Sequence, residues 1–246
     1  MSKEDTSGRP KKIRMLKIIP LACVFCILCF LFIYVSSFYR ADAVALAATY
    51  SDDTVTVQKT EYGWLFDGPS EDRALIFYPG AKVEAESYAP LLHRLSEEGI
   101  DVCLVRMPCN LAILGVNKAT DVMDMYDYSE WYIGGHSMGG AMAARYASDN
   151  PDRLTGLIML AAYPTSSLSS SLNVISITGS EDGIIDRDNL IEGRVYITGP
   201  YTEHVIRGGN HAQFGSYGLQ DGDGTSYIST RDQIEETVSV ILCAAG

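Results

Sequence analysis

Trp131-Tyr132-Ile133-Gly134-Gly135-His136-Ser137-Met138-Gly139-Gly140-Ala141-Met142-Ala143-Ala144 is the stretch whose reading decides the fold. It opens on an apolar run, turns through glycines, and continues into small residues that let a helix approach a sheet closely. Gly135-His136-Ser137-Met138-Gly139 is a G-x-S-x-G elbow in the strand–turn–helix setting that this motif requires. Ser137 must sit in a sharp, strained turn so that its hydroxyl projects above the sheet edge. The amides at the helix N-terminus favour negative charge beside it.

Working outward, Val55 and Val57 alternate with Thr54 and Thr56, which predicts a strand, and Tyr62 to Phe66 predicts a second. Asp67-Gly68-Pro69 is a turn. Ala74 to Tyr78 is a continuous apolar run, as buried parallel strands show. Tyr88, Leu91, Leu92 and Leu95 recur at helical spacing. Val102 to Val105, Leu157 to Leu160, Val174 to Ile177 and the shorter His204 to Ile206 are further strands. Helices are expected around Ala119–Met125, over Met138–Ala147, and on the stripe Ile234, Val238 and Ile241. Strand and helix alternate from residue 74 onward. That is the α/β pattern, a mostly parallel central sheet with helices on both faces.

A serine hydroxyl is a weak nucleophile until a base takes its proton. Of the four histidines, His136 lies inside the elbow and should point away from the hydroxyl. His93 falls on the outer part of an early helix and reads as solvated. His211 follows the last strand in Gly208-Gly209-Asn210-His211, a loop at a strand's C-terminal end, where function gathers in open α/β sheets. It is the expected base, with His204 as the fallback. The base needs an acid to hold its tautomer, and chain order puts that acid between serine and histidine. Asp182, in the loop after Val174–Ile177, is the candidate, with Glu181 and Asp186 as neighbours. An oxyanion needs backbone donors. One is the N–H of Met138; the other comes from Pro79-Gly80-Ala81-Lys82-Val83, where Ala81 is preferred over Lys82.

These motifs resemble the α/β-hydrolase family, and more narrowly the group known as alpha/beta hydrolase fold-5 domains. The resemblance rests on Phe77–Val83, Arg106–Ala112, Gly134–Gly140, Gly179–Gly183 and Gly208–Gly215, and covers roughly residues 55–243. It implies a Ser–Asp–His triad at Ser137, Asp182 and His211, and no particular substrate. Many relatives in the wider superfamily carry a histidine before the oxyanion glycine, where this chain has Pro79.

About a dozen residues, Ala161 to Leu172, separate two strands at the place where many lipases of this fold insert a lid. No large lid is expected, so the site should be open and suited to a small or accessible ester. Met107 to Val116 is apolar and follows a strand end; it either lines the acyl pocket or packs on the sheet edge. Asp221-Gly222-Asp223-Gly224-Thr225 looks like a calcium loop, but Ser226 and Asp232 stand where glycine and glutamate are needed, so it reads as a polar turn. No metal or cofactor is implied.

The net charge of −12 is uneven. Residues 1–17 carry six basic and two acidic side chains, a net of +4, leaving −16 on the rest. A globular part this acidic repels phosphate backbones, which argues against nucleic acid. No charge occurs from Ile18 to Tyr39, a run about long enough to cross a bilayer core of roughly 30 Å. The apolar core of a cleaved signal peptide is shorter, roughly 7–15 residues. The expected organisation is therefore a basic cytoplasmic tail (1–17), a transmembrane signal-anchor (18–39), a linker (40–52) and a hydrolase domain (53–246) outside the cell membrane. Cys23, Cys26 and Cys29 fall within the apolar run. Cys103, Cys109 and Cys243 are odd in number and lack zinc-like spacing, and Cys103 reads as core.

The expected activity is cleavage of an ester, thioester or related acyl bond through an acyl-enzyme. The same residues could pass the acyl group to an acceptor other than water. A non-catalytic binding module on this fold is the rival from another class, but it predicts a broken triad, and here all three positions are filled in order.

Overall fold

The computed structural model describes residues 9–69 and 72–245. Seven α-helices are described: α1 (Arg9–Ser36), α2 (Ala43–Ala47), α3 (Ala89–Glu97), α4 (Lys118–Met123), α5 (Met138–Asp149), α6 (Arg187–Gly193) and α7 (Thr230–Ala245). The strands are β1 (Thr56–Lys59), β2 (Gly63–Asp67), β3 (Arg73–Tyr78), β4 (Asp101–Val105), β5 (Glu130–His136), β6 (Gly156–Leu160), β7 (Asn173–Gly179) and β8 (Tyr201–Ile206). They form one sheet in the order β1-β2-β4-β3-β5-β6-β7-β8. The β1–β2 and β2–β4 pairs are antiparallel and every other pair is parallel. The expected mostly parallel α/β sheet is present.

Both faces of the sheet are covered, and strand alternation sorts the side chains between them. Leu75 and Phe77 of β3 join Leu91, Leu95, Ile234 and Ile241 on the face of α3 and α7. Ala74, Ile76 and Tyr78 join Ile133, Ala143 and Ala147 on the face of α5. The continuous apolar run of β3 thus has one explanation: water reaches neither side. The parallel strands deliver their C-terminal ends, and the loops that follow them, to a single edge.

The N-terminal region departs from expectation. Contacts divide the chain at the Ser37–Phe38 junction, and α1 ends at Ser36. Tyr39, the expected last residue of the span, instead forms a parallel bridge with Val83. Among the described residues no helix is long and apolar enough to cross a membrane. The expected span over 18–39 lies partly outside the described side chains, which in α1 begin at Pro20. Residues 40–52 include the short helix α2. Asp42 caps α2 by accepting the Ala45 N–H at 2.9 Å, and Ala45 is fully buried. His93, expected in solvent, is buried between Asp52 and Glu97.

Candidate active site

Strand β5 runs into α5 through Ser137, which takes φ 53° and ψ −123°. An L-residue in that region is held there against a cost of about 1–3 kcal/mol. The Ser137 N–H donates to Leu160 O at 2.8 Å, and its carbonyl accepts the Ala141 N–H at 3.0 Å. The elbow is tight because α5 starts directly over β3. A Cβ on Gly139 would come within 2.1 Å of Tyr78 O, and one on Gly135 within 2.5 Å of the same atom. The motif's two glycines are therefore demanded by the approach of helix to sheet. Met138 opens α5, where an α-helix leaves its first amides without intrahelical partners.

His211 Nδ1 and Asp182 Oδ2 are 2.8 Å apart, and both side chains are buried. The other carboxylate oxygen of Asp182 accepts the N–H groups of Ile184 and Ile185 at 2.9 and 2.8 Å. Burial works to raise the Asp182 pKa. The hydrogen bond and charge of His211, with the Ile185 and Ile184 amides, outweigh it and hold the carboxyl below its ordinary value. An ionised carboxylate only accepts, so Nδ1 of His211 donates to it, and in the neutral ring Nε2 is then the nitrogen with the lone pair. That Nε2 is buried and has no hydrogen-bond partner. Ser137, Met138 and His211 line one cleft of about 350 Å³.

The alternatives weighed on the sequence are occupied elsewhere. His204 lies on β8 and pairs with Glu236 at 2.7 Å. Glu181 accepts the Ser180 hydroxyl at 2.9 Å. Asp186 is the N-cap of α6, accepting the Asn189 N–H at 3.0 Å, and it borders the cleft.

On the oxyanion side, the Lys82 N–H donates to Asn110 O at 2.8 Å, while the N–H of Ala81 makes no hydrogen bond within the described residues. Lys82 itself is left-handed, at φ 57°. Of the two donors left open by the sequence, Ala81 is the one whose amide is unspent. The segment Met107–Val116 does not line the Ser137 cleft. Met107 and Ala112 are core residues, Ile113 to Val116 border a separate groove with Lys118 and Asn150, and Asn110 holds the Lys82 amide.

Three supporting residues were not legible beforehand. The Tyr88 hydroxyl accepts the Gly80 N–H at 3.1 Å and lies 2.8 Å from His136 Nδ1. The Tyr88 hydroxyl thus couples the Gly80 amide to the His136 ring through one shared oxygen. The His136 ring in turn rests against His211, with centroids 4.4 Å apart. Burial, and then the like charge that His211 bears whenever it is protonated, hold His136 well below the ordinary imidazole value. Asp223 is the third. Its carboxylate accepts the N–H groups of Gly183 (3.1 Å), His211 (3.3 Å) and Ala212 (2.8 Å). The polar turn read at 221–225 thus ties the acid loop to the histidine loop. Its aspartates and glycines signalled only a turn, because the tie links segments far apart in sequence.

Among the described residues, Asp52, His93 and Glu97 are close enough to hold a cation. The two carboxylates face opposite ring nitrogens, at 3.5 and 3.4 Å. That is the geometry of an imidazole bridging two acids. A metal would draw both carboxylates to one nitrogen.

The model of the alpha/beta hydrolase family matches residues 74–235. That range holds Ala81, Ser137, Met138, Asp182 and His211. Among solved structures the fold is similar to that of Est1E from Butyrivibrio proteoclasticus, with a TM-score of 0.56 and 12 % identity, covering 78 % of this chain and 99 % of that one. No curated protein matches the sequence.

Proposed function

The chain belongs to the alpha/beta hydrolase family, and from that premise we propose that it is a serine hydrolase acting on small, uncharged acyl esters or thioesters. The observation that carries the reading is the buried, unpartnered Nε2 of His211 in the same cleft as the strained Ser137. A base with its lone pair free and its other nitrogen fixed by a carboxylate has one use there, which is to take the serine proton.

In the proposed cycle Ser137 Oγ attacks the acyl carbon as His211 Nε2 accepts its proton. The Met138 and Ala81 amides receive the oxyanion, each worth on the order of 3 kcal/mol in the transition state. His211 returns the proton to the leaving alcohol or thiol, and water then repeats the sequence to release the acid. Asp182 stays ionised throughout and stabilises the imidazolium. The walls support the substrate class. Met138, Ala141, Ala161, Ala162, Ile184 and Ile185 are apolar, and the cleft has no lysine or arginine to receive an anionic group. Among the described residues no helix stands between β6 and β7, which favours an open site.

The test is a panel of p-nitrophenyl esters with a fluorophosphonate probe. Wild type should hydrolyse short neutral esters and take the label, and Ser137→Ala should do neither. Labelling that persists in Ser137→Ala, or a preference for succinyl over butyryl esters, would overturn the reading.

The uncharged run Ile18–Tyr39 behind six basic residues supports a second element of the proposal: tethering to the cell membrane with the hydrolase domain outside. Resistance to alkaline carbonate extraction, and digestion of the domain by protease added to intact cells, are the expected results. Release by carbonate would refute tethering.

A further inference from the structure

The five residues from Phe38 to Asp42 do more than join two parts of the chain. The Tyr39 N–H donates to Lys82 O at 2.7 Å, and the Tyr39 carbonyl accepts the Glu84 N–H at 2.9 Å. Two residues on, the Ala41 N–H donates to Glu84 Oε2 at 2.9 Å. The same short stretch then reaches the segment that follows His211. The Asp42 N–H donates to Ser216 O at 2.9 Å, the Tyr39 hydroxyl accepts the Asp221 N–H at 3.1 Å, and the Tyr39 ring lies against Tyr217 with centroids 5.6 Å apart.

The bonded groups on the first side belong to the oxyanion loop. Lys82 follows Ala81 directly and sits in the left-handed region. A non-glycine residue stays there only where its surroundings over-determine it. Here its N–H is held by Asn110 and its carbonyl by Tyr39. Those two bonds fix the two peptide planes of Lys82, and the Ala81 N–H adjoins the first of them. On the second side, Ser216 to Asp221 continues the loop that carries His211 and is itself bonded to the rest, since the Ser216 N–H donates to Ser87 O at 2.7 Å. One strap therefore spans the donor of the oxyanion hole and the loop of the base.

We propose that Tyr39 is a positioning residue for catalysis, whose strap Tyr39–Asp42 holds the Gly80–Val83 loop in its oxyanion-binding shape against the loop of His211. The proposal rests on the serine hydrolase reading and on Ala81 as a donor. It also places a control point at the N-terminal edge of the domain. Cleavage or distortion of the chain between Phe38 and Asp42 would relax the oxyanion loop while leaving Ser137, His211 and Asp182 in place.

Tyr39→Ala in the full-length protein removes the ring and the hydroxyl that seat the strap. A misplaced oxyanion donor lowers transition-state binding while leaving ground-state binding intact. The expected result is a fall in kcat of about tenfold on p-nitrophenyl butyrate with KM within twofold, roughly the loss expected for a weakened single oxyanion contact. Inhibition by phenylboronic acid, whose tetrahedral adduct needs the same donors, should weaken by the same factor. Tyr39→Phe, which keeps the ring on Tyr217, should recover most of the loss. Glu84→Ala, which removes the Ala41 clamp without disturbing the core, should move kcat and boronate affinity in the same direction, and it decides the matter if Tyr39→Ala does not fold. A kcat within twofold of wild type in the folded variants, or equal changes in KM and kcat with boronate affinity preserved, overturns the proposal. Persistent turnover in Ser137→Ala would instead overturn the serine hydrolase reading, so the two failures are distinguishable.

Discussion

His211 Nδ1 meets Asp182 Oδ2 at 2.8 Å across a sequence separation of 29 residues. The pair is buried, and two amides of the loop after Asp182 fix the second carboxylate oxygen. The orientation of the imidazole therefore depends on the carboxylate. Asp182→Asn is nearly isosteric, but it can present an N–H to Nδ1 and favour the wrong tautomer. A loss of roughly 10⁴ in kcat is the scale for that change in a serine triad. The expected outcome is a folded protein whose ester hydrolysis and fluorophosphonate labelling both collapse; a loss below tenfold would show that Asp182 is not the orienting acid.

The same pair gives a signed pH dependence. The folded pKa of Asp182 lies below its ordinary value, and the unfolded carboxyl titrates near about 3.9. Its contribution to stability is fully present above the unfolded value and is lost as pH falls through the folded one. His136 acts at higher pH. Its folded pKa is depressed from about 6.5, so between the two values the unfolded state binds more protons and stability declines as pH drops below about 6.5. His136→Asn keeps a hydrogen-bonding partner for the Tyr88 hydroxyl and removes the titration. Urea unfolding from pH 7.5 to 5 should show a shallower decline in the variant. An unchanged slope would mean that His136 does not titrate on unfolding.

Much of this was legible from local signals, because local constraints produced them. Gly135 and Gly139 are required by backbone approach to Tyr78 O, and that constraint writes itself into five consecutive residues. The order of Ser137, Asp182 and His211 follows from which strand ends reach one edge of the sheet. Tyr88, Asp223 and Tyr39 carry no such mark. Their partners lie across loops, and a buried tyrosine at helical spacing reads as core whether or not its hydroxyl is spoken for. His93 is buried against expectation for a related reason. Its place on α3 suggested an outer face, while the cover comes from Asp52, far earlier in the chain.

Asp223 is the acceptor for amides of both the acid loop and the histidine loop. Asp223→Ala leaves those N–H groups without their partner, at about 1–3 kcal/mol for each one that water cannot reach. The loops loosen before the sheet does. Hydrogen exchange should rise at Gly183, His211 and Ala212 while β3 and β5 stay protected, and kcat should fall about 10–100-fold, the sensitivity expected for about 1 Å of misplacement. Unchanged exchange at these amides would remove Asp223 from the architecture of the site.

Gly139→Ala sets two magnitudes against each other. In a helix, alanine is favoured over glycine by about 1 kcal/mol. Here the new Cβ would lie 2.1 Å from Tyr78 O and 2.4 Å from Pro79 O, both backbone atoms that cannot swing aside. Overpacking of this kind costs about 1–3 kcal/mol, occasionally more, so the clash wins. The variant should lose several degrees in Tm, at about 2–4 °C per kcal/mol for a domain of this size, together with activity, because α5 must retreat and carry Met138 with it. A Tm at or above wild type would show that helix and sheet are not in contact at this point.

Ser137 supplies the last prediction, since its backbone separates catalysis from stability. At φ 53° and ψ −123° the residue occupies a region open to glycine and unfavourable for any side chain with a Cβ. Ser137→Ala and Ser137→Gly both remove the proposed nucleophile, so both should lack turnover and label. They differ in what they do to the fold. Alanine keeps the Cβ and its strain. Glycine releases about 1–3 kcal/mol of that strain, partly offset by the roughly 0.5–1 kcal/mol of backbone freedom that glycine loses on folding. Strain wins, so Ser137→Gly should melt above Ser137→Ala by a few degrees and above wild type as well. That ordering is the mark of an active site whose geometry is held at the expense of stability. Equal Tm values for the two variants would mean that the elbow stores no strain, and that the serine could have been presented from an ordinary turn.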